Sequence, residues 1–414
     1  MMKKDKIFAS DSFYTKSGRL DIGSTEPLSV AFIGGSLTEG EIDYEGTSLS
    51  DGRLKWANVV LKFLGGLFPL RPLTAVNAGL GGTESEYGAI RFQRDVLSHS
   101  PDIVFIEFSC NDRPVRESEC IGKEALKRQV YLENMIRQCM EAEKVPIIIY
   151  QHVPQPFEGE MMDYYLRGCE LKNEVLRHYG ITPIDSAQAV KEEYLALKEA
   201  DPSLTFRDFL ATHYNDNGSG GFDVHPRASG YMLFALSVVN AISRHPERYL
   251  KAFRMQSEPY CKGSEAMICE RYNYIPAASD RIKYKGDWRL YTAKNMFESD
   301  DPELLIKPPK YTQGHQFPDG IMQTLDPEEA EFSFETEAGR ICMPHVSARA
   351  GLAAAVYADG VKVGEISCQS RWHGMNYLGS WVELPKGRKT VVFKIDKATP
   401  EARVFRFGYI VEAK

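Results

Sequence analysis

From residue 28 to about 245, short apolar runs alternate with amphipathic stretches of helical period. The runs Leu28–Ile33, Thr74–Asn77, Asp102–Phe108 and Pro146–Tyr150, with a weaker one at Thr182–Ile184, read as strands. Helical patterns lie around Leu54–Phe68, Glu84–Leu97, Lys123–Ala142 and Met162–Tyr179, and a strongly apolar one spans Ser229–Ile242. Near-continuous apolar strands alternating with helices predict an α/β domain, with a parallel sheet covered on both faces. Sites in such sheets lie beyond the carboxyl ends of the strands. Ser36, Gly82, Asn111 and His152 each follow a strand end, so all four are expected to share one edge.

The pattern changes after about residue 255. A stretch with some packed content leads into short runs separated by turn signals. In "LAAAVYADGVKVGEISC", Asp359-Gly360 stands between two alternating runs, a strong hairpin signal. "SWVELPKGRKTVVFKI" turns at Pro385-Lys386-Gly387, and "RVFRFGYIVEA" reads as a closing strand. This half is expected to be an antiparallel β-sandwich. The organisation predicted is 1–250 for the α/β domain, 251–282 for a connector and 283–414 for the sandwich.

Composition narrows the function classes. The 414 residues suffice for two or three cored domains, and 43% hydrophobic with 26% charged residues is ordinary globular usage. A net charge of −7 argues against general affinity for nucleic acid or anionic membranes. The start, "MMKKDKIFASDSFYTKSG", has basic residues but no apolar core of signal-peptide length, so no secretion signal is expected, and no uninterrupted apolar run approaches a membrane span. The cysteines at 110, 120, 139, 169, 261, 269, 342 and 368 form no C-x-x-C pair and no ligand cluster. Reduced thiols, a cytoplasmic location, no metal and no cofactor are the expectations.

Candidate chemistry begins at "VAFIGGSLTEGE", Val30 to Glu41. Gly35 and Gly40 have phosphate-loop spacing, but Glu41 and Ile42 stand where Lys and Ser/Thr belong. Neither Gly34-Gly35 nor Gly79 to Gly82 completes the dinucleotide-binding spacing. Thr38 replaces the second glycine of a G-x-S-x-G elbow. What remains is Ser36, a serine at a strand end. Ester cleavage needs such a nucleophile, a base near neutral pKa and donors for the oxyanion. His225, in a His-Pro step before an apolar helix, can be the base. Gly82 can bring its N–H close to a ligand, and the Asn111 amide can donate.

The blocks "GGSLTEG" (34–40), "NAGLGGTES" (77–85), "FSCND" (108–112) and "DVHPRASGY" (223–231) resemble, in order and separation, those of the SGNH (GDSL-type) hydrolases. The resemblance covers most of the first 245 residues and implies a flavodoxin-like sheet. It also implies a nucleophile at Ser36, a base at His225 and an oxyanion hole from the Ser36 N–H, the Gly82 N–H and the Asn111 side chain. Two departures stand out. Gly35 occupies the family's usual Asp position, as in carbohydrate-directed and capsule-related relatives. The family's acid lies three residues before the histidine, where this chain has Phe222; Asp223 is the favoured replacement, a backbone carbonyl the alternative.

Of the neighbouring residues, Asp112 is expected to be structural, capping the following segment, Tyr231 to be core, and Glu39 and Glu41 to be solvated. His152 is open between substrate cleft and satisfied polar group. Trp372, His373 and Tyr377 could stack on sugar rings or pack against protein. The Gly-Gly-Ser variant, the lack of an apolar lid-like helix near the motifs and the appended sandwich lean toward acetylated oligosaccharides, such as mannan or xylan fragments. An O-acyltransferase, a short-chain esterase, lysophospholipase or thioesterase, and a non-catalytic glycan-binding protein stay open, as does homo-oligomerisation.

Overall fold

The computed structural model describes residues 24–39, 56–154, 160–251, 256, 258–268, 270–291, 317, 319–324, 330–346, 352–368, 376–397 and 404–413. The chain divides into two compact units, Met1–Cys269 and Glu270–Lys414. The division falls inside the stretch expected to be a connector.

The first unit runs β1 (Leu28–Gly34), α1 (Ser36–Glu39), α2 (Trp56–Leu67), β2 (Leu73–Gly79), α3 (Ser85–Asp95), β3 (Ile103–Glu107), α4 (Gly122–Glu141), β4 (Val145–Tyr150), α5 (Glu160–Tyr179) and β5 (Ile184–Asp185). It continues with α6 (Ser186–Ala200), α7 (Phe206–His213), a small hairpin of β6 (Tyr214–Asp216) and β7 (Phe222–Pro226), and α8 (Ala228–Arg244). The sheet order is β2-β1-β3-β4-β5, with parallel pairing throughout. This is the flavodoxin-like order, in which the chain reverses its winding between β1 and β3.

Strand alternation explains the double covering. Val30 and Phe32 of β1, with Ile103 and Phe105 of β3, face a core shared with Trp56, Val60, Leu64, Phe234 and Val238. Their neighbours Ala31, Ile33, Val104 and Ile106 face a second core with Phe92, Met135, Ile136 and Leu176. Both sides of each central strand are thus buried, so the strands read as continuous apolar runs. Phe32 stacks on Phe105 at 4.9 Å, and Trp56 meets Phe32 edge-on at 5.4 Å.

Helices α6 and α7 were not legible in the hydrophobic pattern, and the reason is burial. In α6 only Ser186, Ala187 and Val190 are buried. Its apolar stripe is too narrow to announce a helix, although Asp185 caps its first turn through Ala187 N–H. Helix α7 is equally short of core, and carries a Thr205/Asp208 capping box.

The second unit is built from antiparallel sheets around its own core, which includes Phe332, Val356, Phe393 and Phe407. Leu352–Ala358 and Val361–Ser367 form the expected hairpin. Asp359 and Gly360 turn it with φ of 47° and 83°, the two positive values a two-residue turn of this kind demands. The turn at Pro385-Lys386-Gly387 passes the chain between sheets. Val382–Glu383 pairs with Arg340–Cys342, whereas Lys389–Lys397 pairs with Glu331–Thr336 and Leu352–Ala358. The closing strand likewise divides at Gly408 into Phe405–Phe407 and Tyr409–Ala413, in different sheets. A Cβ at Gly408 would stand 1.7 Å from the Phe317 ring. The fold is therefore a parallel α/β sheet followed by a β-sandwich-like second domain.

Candidate active site

Ser36, Gly82, Asn111 and His152 follow β1, β2, β3 and β4 respectively, at the carboxyl edge of the sheet. At Ser36 the strand gives way to the short α1, whose Thr38 and Glu39 N–H groups both donate to the Gly35 carbonyl. The turn is packed so closely that a Cβ on Gly34 would fall 2.3 Å from the Glu107 carbonyl oxygen. Trp56 steadies it from outside, its indole N–H donating to the Leu37 carbonyl at 3.1 Å.

His225 reaches this turn from β7. Its Nε2 lies 2.8 Å from Ser36 Oγ, and its Nδ1 lies 2.5 Å from Asp223 Oδ1. The same carboxylate oxygen accepts the backbone N–H of His225 at 2.8 Å. Strand geometry accounts for the shortened acid–histidine spacing. Successive side chains alternate faces, so residues two apart point the same way. Asp223 and His225 share one face of β7, while Phe222 and Val224 pack toward the core. Phe222, at the position where the family carries its acid, lies under the Arg207 guanidinium at 5.5 Å from its ring centroid.

Asn111 stands beside Gly35, the residue before Ser36. Its Nδ2 donates to the Thr83 carbonyl at 2.8 Å, which leaves the second amide proton for a ligand. A Cβ built on Gly35 would lie 2.6 Å from that nitrogen. The missing side chain at position 35 thus makes room for the Asn111 amide, which gives the Gly-for-Asp departure a steric reason. Gly82 has φ of 71°, a left-handed conformation suited to glycine. Its loop is anchored by Gly81 N–H, which donates to Glu39 Oε2 at 2.7 Å.

That bond corrects one expectation. Glu39 is not solvated; it is buried, because its carboxylate accepts the N–H of a loop that no strand satisfies. Glu41 lies outside the described residues. Asp112 is structural but does not cap the segment after it. Its Oδ1 accepts Ser85 N–H at the start of the earlier helix α3, and its Oδ2 lies 3.0 Å from Lys172 Nζ. Tyr231 is core, as expected. His152 is 1% exposed, with Nδ1 2.8 Å from the Tyr214 hydroxyl. It is a buried polar group, not a cleft-lining one. Trp372 and His373 lie outside the described residues, and Tyr377 falls in the strand Asn376–Leu378, opposite His345.

Glu107, at the end of β3, escaped the sequence reading. It is 1% exposed, and burial raises its carboxyl pKa above the ordinary value. It reads in sequence as the polar end of an apolar run, with no motif to flag it. Cys110, next to Asn111, offers no competing nucleophile, because burial pushes its thiol up to about 12. Among the described residues, no group of His, Cys, Asp and Glu could hold a metal ion, and no helix is long and apolar enough to cross a membrane.

The arrangement can take a proton from Ser36, hold the resulting imidazolium against a carboxylate, and present donors to an oxyanion. Residues 32–233 match the model of the GDSL-like Lipase/Acylhydrolase family. The chain is similar to the crystal structure of a two-domain esterase (CEX) active on acetylated mannans, at 16% identity and a TM-score of 0.66. That match covers 94% of this chain and 92% of the other. The same esterase co-crystallized with mannopentaose matches at 17% identity and a TM-score of 0.64, over 96% and 94% of the two chains. A shorter likeness, 36% identity over 72 residues, is to the uncharacterized lipoprotein YqeF of Bacillus subtilis (strain 168). It covers 17% of this chain and 28% of that protein, well under two thirds of its length. Residues 32–233 therefore form a GDSL/SGNH-like hydrolase domain, fused in this chain to a second, β-sandwich-like domain.

Proposed function

We propose that this protein is a serine esterase that removes acetyl groups from carbohydrate through an acyl-enzyme, with Ser36 as nucleophile, His225 as general base and acid, and Asp223 as its orienting carboxylate. The observation that carries the reading is the continuous hydrogen-bonded line from Ser36 Oγ through His225 to Asp223. As Ser36 Oγ attacks the acetyl carbonyl carbon, its proton passes to His225 Nε2. Asp223 holds the Nδ1–H, which selects the productive tautomer and stabilises the imidazolium. The carbonyl oxygen, now negative, accepts from the Ser36 and Gly82 N–H groups and the Asn111 amide. Collapse expels the sugar oxygen, which takes the proton from Nε2. Water then repeats the sequence on the acyl-enzyme, releasing acetate and free Ser36.

Acetylated oligosaccharides, such as mannan or xylan fragments, are the substrate class we favour. Support comes from the shared two-domain layout with an esterase active on acetylated mannans, an argument from architecture only. The test is a panel of acetylated manno- and xylo-oligosaccharides read by mass spectrometry, for wild type and Ser36→Ala. Loss of acetyl mass by wild type alone is the expected result. Deacetylation by Ser36→Ala overturns the nucleophile. Indifference to every acetylated sugar, with turnover of long-chain acyl esters, overturns the substrate class. Net acetyl transfer to an added sugar, outrunning hydrolysis, would make the protein a transferase.

A further inference from the structure

A single buried carboxylate joins the two turns that this reading makes functional. Glu107 ends β3 directly opposite Gly34 at the end of β1. Its backbone carbonyl accepts Gly35 N–H at 3.3 Å. Its Oε2 accepts from Thr38 Oγ1 at 3.2 Å, two residues beyond Ser36. Its Oε1 accepts from both the N–H and the hydroxyl of Ser109, at 2.9 and 2.8 Å, two residues before Asn111. The Ser109 hydroxyl in turn accepts Gln151 N–H at 2.8 Å, which ties the end of β4 into the same network. The Glu107 carboxylate hydrogen-bonds to neither Ser36 nor Asn111.

We infer that Glu107 is a positioning residue for the esterase reaction, one oxygen fixing the nucleophile turn through Thr38 and the other fixing the Asn111 turn through Ser109. The inference rests on the assignment of Ser36 and Asn111 above. The physical requirement is that a nucleophile and an oxyanion donor from different strands keep one mutual geometry. A displacement of about 1 Å between them can cost on the order of 100-fold in rate. The ladder of β1 with β3 ends at Gly34 and Glu107, and past it the long Gly35 N–H bond to the Glu107 carbonyl is joined by side-chain bonds from the same residue. Glu107 supplies a bridge there, and its burial removes water that would compete for its oxygens. The role asks for acceptors and shape, not for a charge near the reacting atoms. Glutamine can meet most of that demand. Its carbonyl oxygen can accept both Ser109 donors, and its amide can donate to Thr38 Oγ1.

The experiment uses the full chain and 4-nitrophenyl acetate, with kcat, KM and Tm for Thr38→Val, Ser109→Ala, Glu107→Gln and Glu107→Leu. Thr38→Val and Ser109→Ala are each expected to lower kcat about 10-fold with KM nearly unchanged, a loss confined to the chemical step. Glu107→Gln is expected to stay within a few-fold of wild type, and Glu107→Leu to lose most activity. Adding Thr38→Val to Glu107→Leu should cost nothing more, because the arm it removes is already gone. If the leucine variant does not fold, the two arm variants and the glutamine rescue decide the matter. Arm variants with wild-type kcat overturn the inference, as does a full additional loss from Thr38→Val in the leucine background. A merely structural Glu107 would lower Tm in all of them and leave kcat of the folded protein intact. Ser36→Ala, run alongside, separates the two levels. Residual turnover there sinks the serine reading itself, whereas a dead Ser36→Ala beside wild-type arm variants sinks only the role of Glu107.

Discussion

Gly35 shows how one absent side chain can shape a site. Nothing in its own chemistry is reactive, yet a Cβ there would stand 2.6 Å from Asn111 Nδ2, well inside van der Waals contact. Gly35→Ala should therefore push the Asn111 amide off its position over the Ser36 turn. We expect kcat for acetate esters to fall by up to about 100-fold with the fold intact. Asn111→Ala, which deletes the donor, should cost about two to three orders of magnitude in kcat and much less in KM. Steady-state kinetics on both variants check this. Full activity in Gly35→Ala would mean that the amide does not need its present place. The residue scale is also where the sequence was both most and least informative. Ser36, Gly82, Asn111 and His225 could be named because motif blocks mark them. Glu39 and Glu107 could not, because a carboxylate that accepts N–H or O–H groups from another segment looks in sequence like any solvated acid. Their roles depend on partners at distant positions, Gly81 for Glu39 and Thr38 for Glu107.

At the scale of elements, the hairpin β6–β7 decides how an acid reaches His225. Tyr214 pairs with Pro226 and Asp216 with Phe222, which makes the histidine segment a strand. In a strand the acid must be two residues away, so Asp223 meets the imidazole and residue 222 faces the core. Asp223→Asn should then cost on the order of four decades in kcat, by analogy with the serine-protease triad. The double change Phe222→Asp/Asp223→Ala, which restores the family's spacing, should remain as inactive as Asp223→Ala. Recovery of activity in the double variant would show that the segment is not held as a strand. None of this was legible in the hydrophobic pattern, since β6 and β7 are short and lie outside the main sheet. The sheet strands themselves were legible because burial on both faces leaves an unbroken apolar run. The end of β3 carries a prediction of its own. Burial raises the Glu107 pKa above its ordinary 4.5, so the folded state keeps a proton that the unfolded chain releases. Stability from this group is present below 4.5 and declines as pH rises from 4.5 through the raised value. Glu107→Gln has no proton to lose. Its Tm relative to wild type should rise with pH above about 4.5. Thermal melts at several pH values test this, and a difference that stays flat would refute it.

On the scale of the whole molecule, chemistry and division of the chain can be separated. Ser36, Gly82, Asn111, Asp223 and His225 all lie in the unit Met1–Cys269. Among the described residues, the two cores of that unit draw on none beyond Ile268, and the core of Glu270–Lys414 draws on none before Ile275. The last stretch of the first unit is tied back to it. Glu133 accepts the N–H groups of Tyr260 and Cys261, and the Asn134 amide donates to the Met267 and Ile268 carbonyls. A cut near residue 250 would remove those partners and leave the Glu133 carboxylate, which is 0% exposed in the intact chain, without them. A cut after residue 269 would keep them. The fragment 1–269 should therefore fold alone and turn over 4-nitrophenyl acetate with a kcat within a few-fold of the full chain, because every group in the proposed reaction is retained. The fragment 1–250 should melt at a lower temperature. If 1–269 folds and hydrolyses the small ester but loses activity on acetylated oligosaccharides, the second domain contributes to the sugar and not to bond cleavage. A folded 1–269 fragment that cannot cleave 4-nitrophenyl acetate would mean that a group essential to the chemistry comes from beyond residue 269, and the five residues named would not be the complete site.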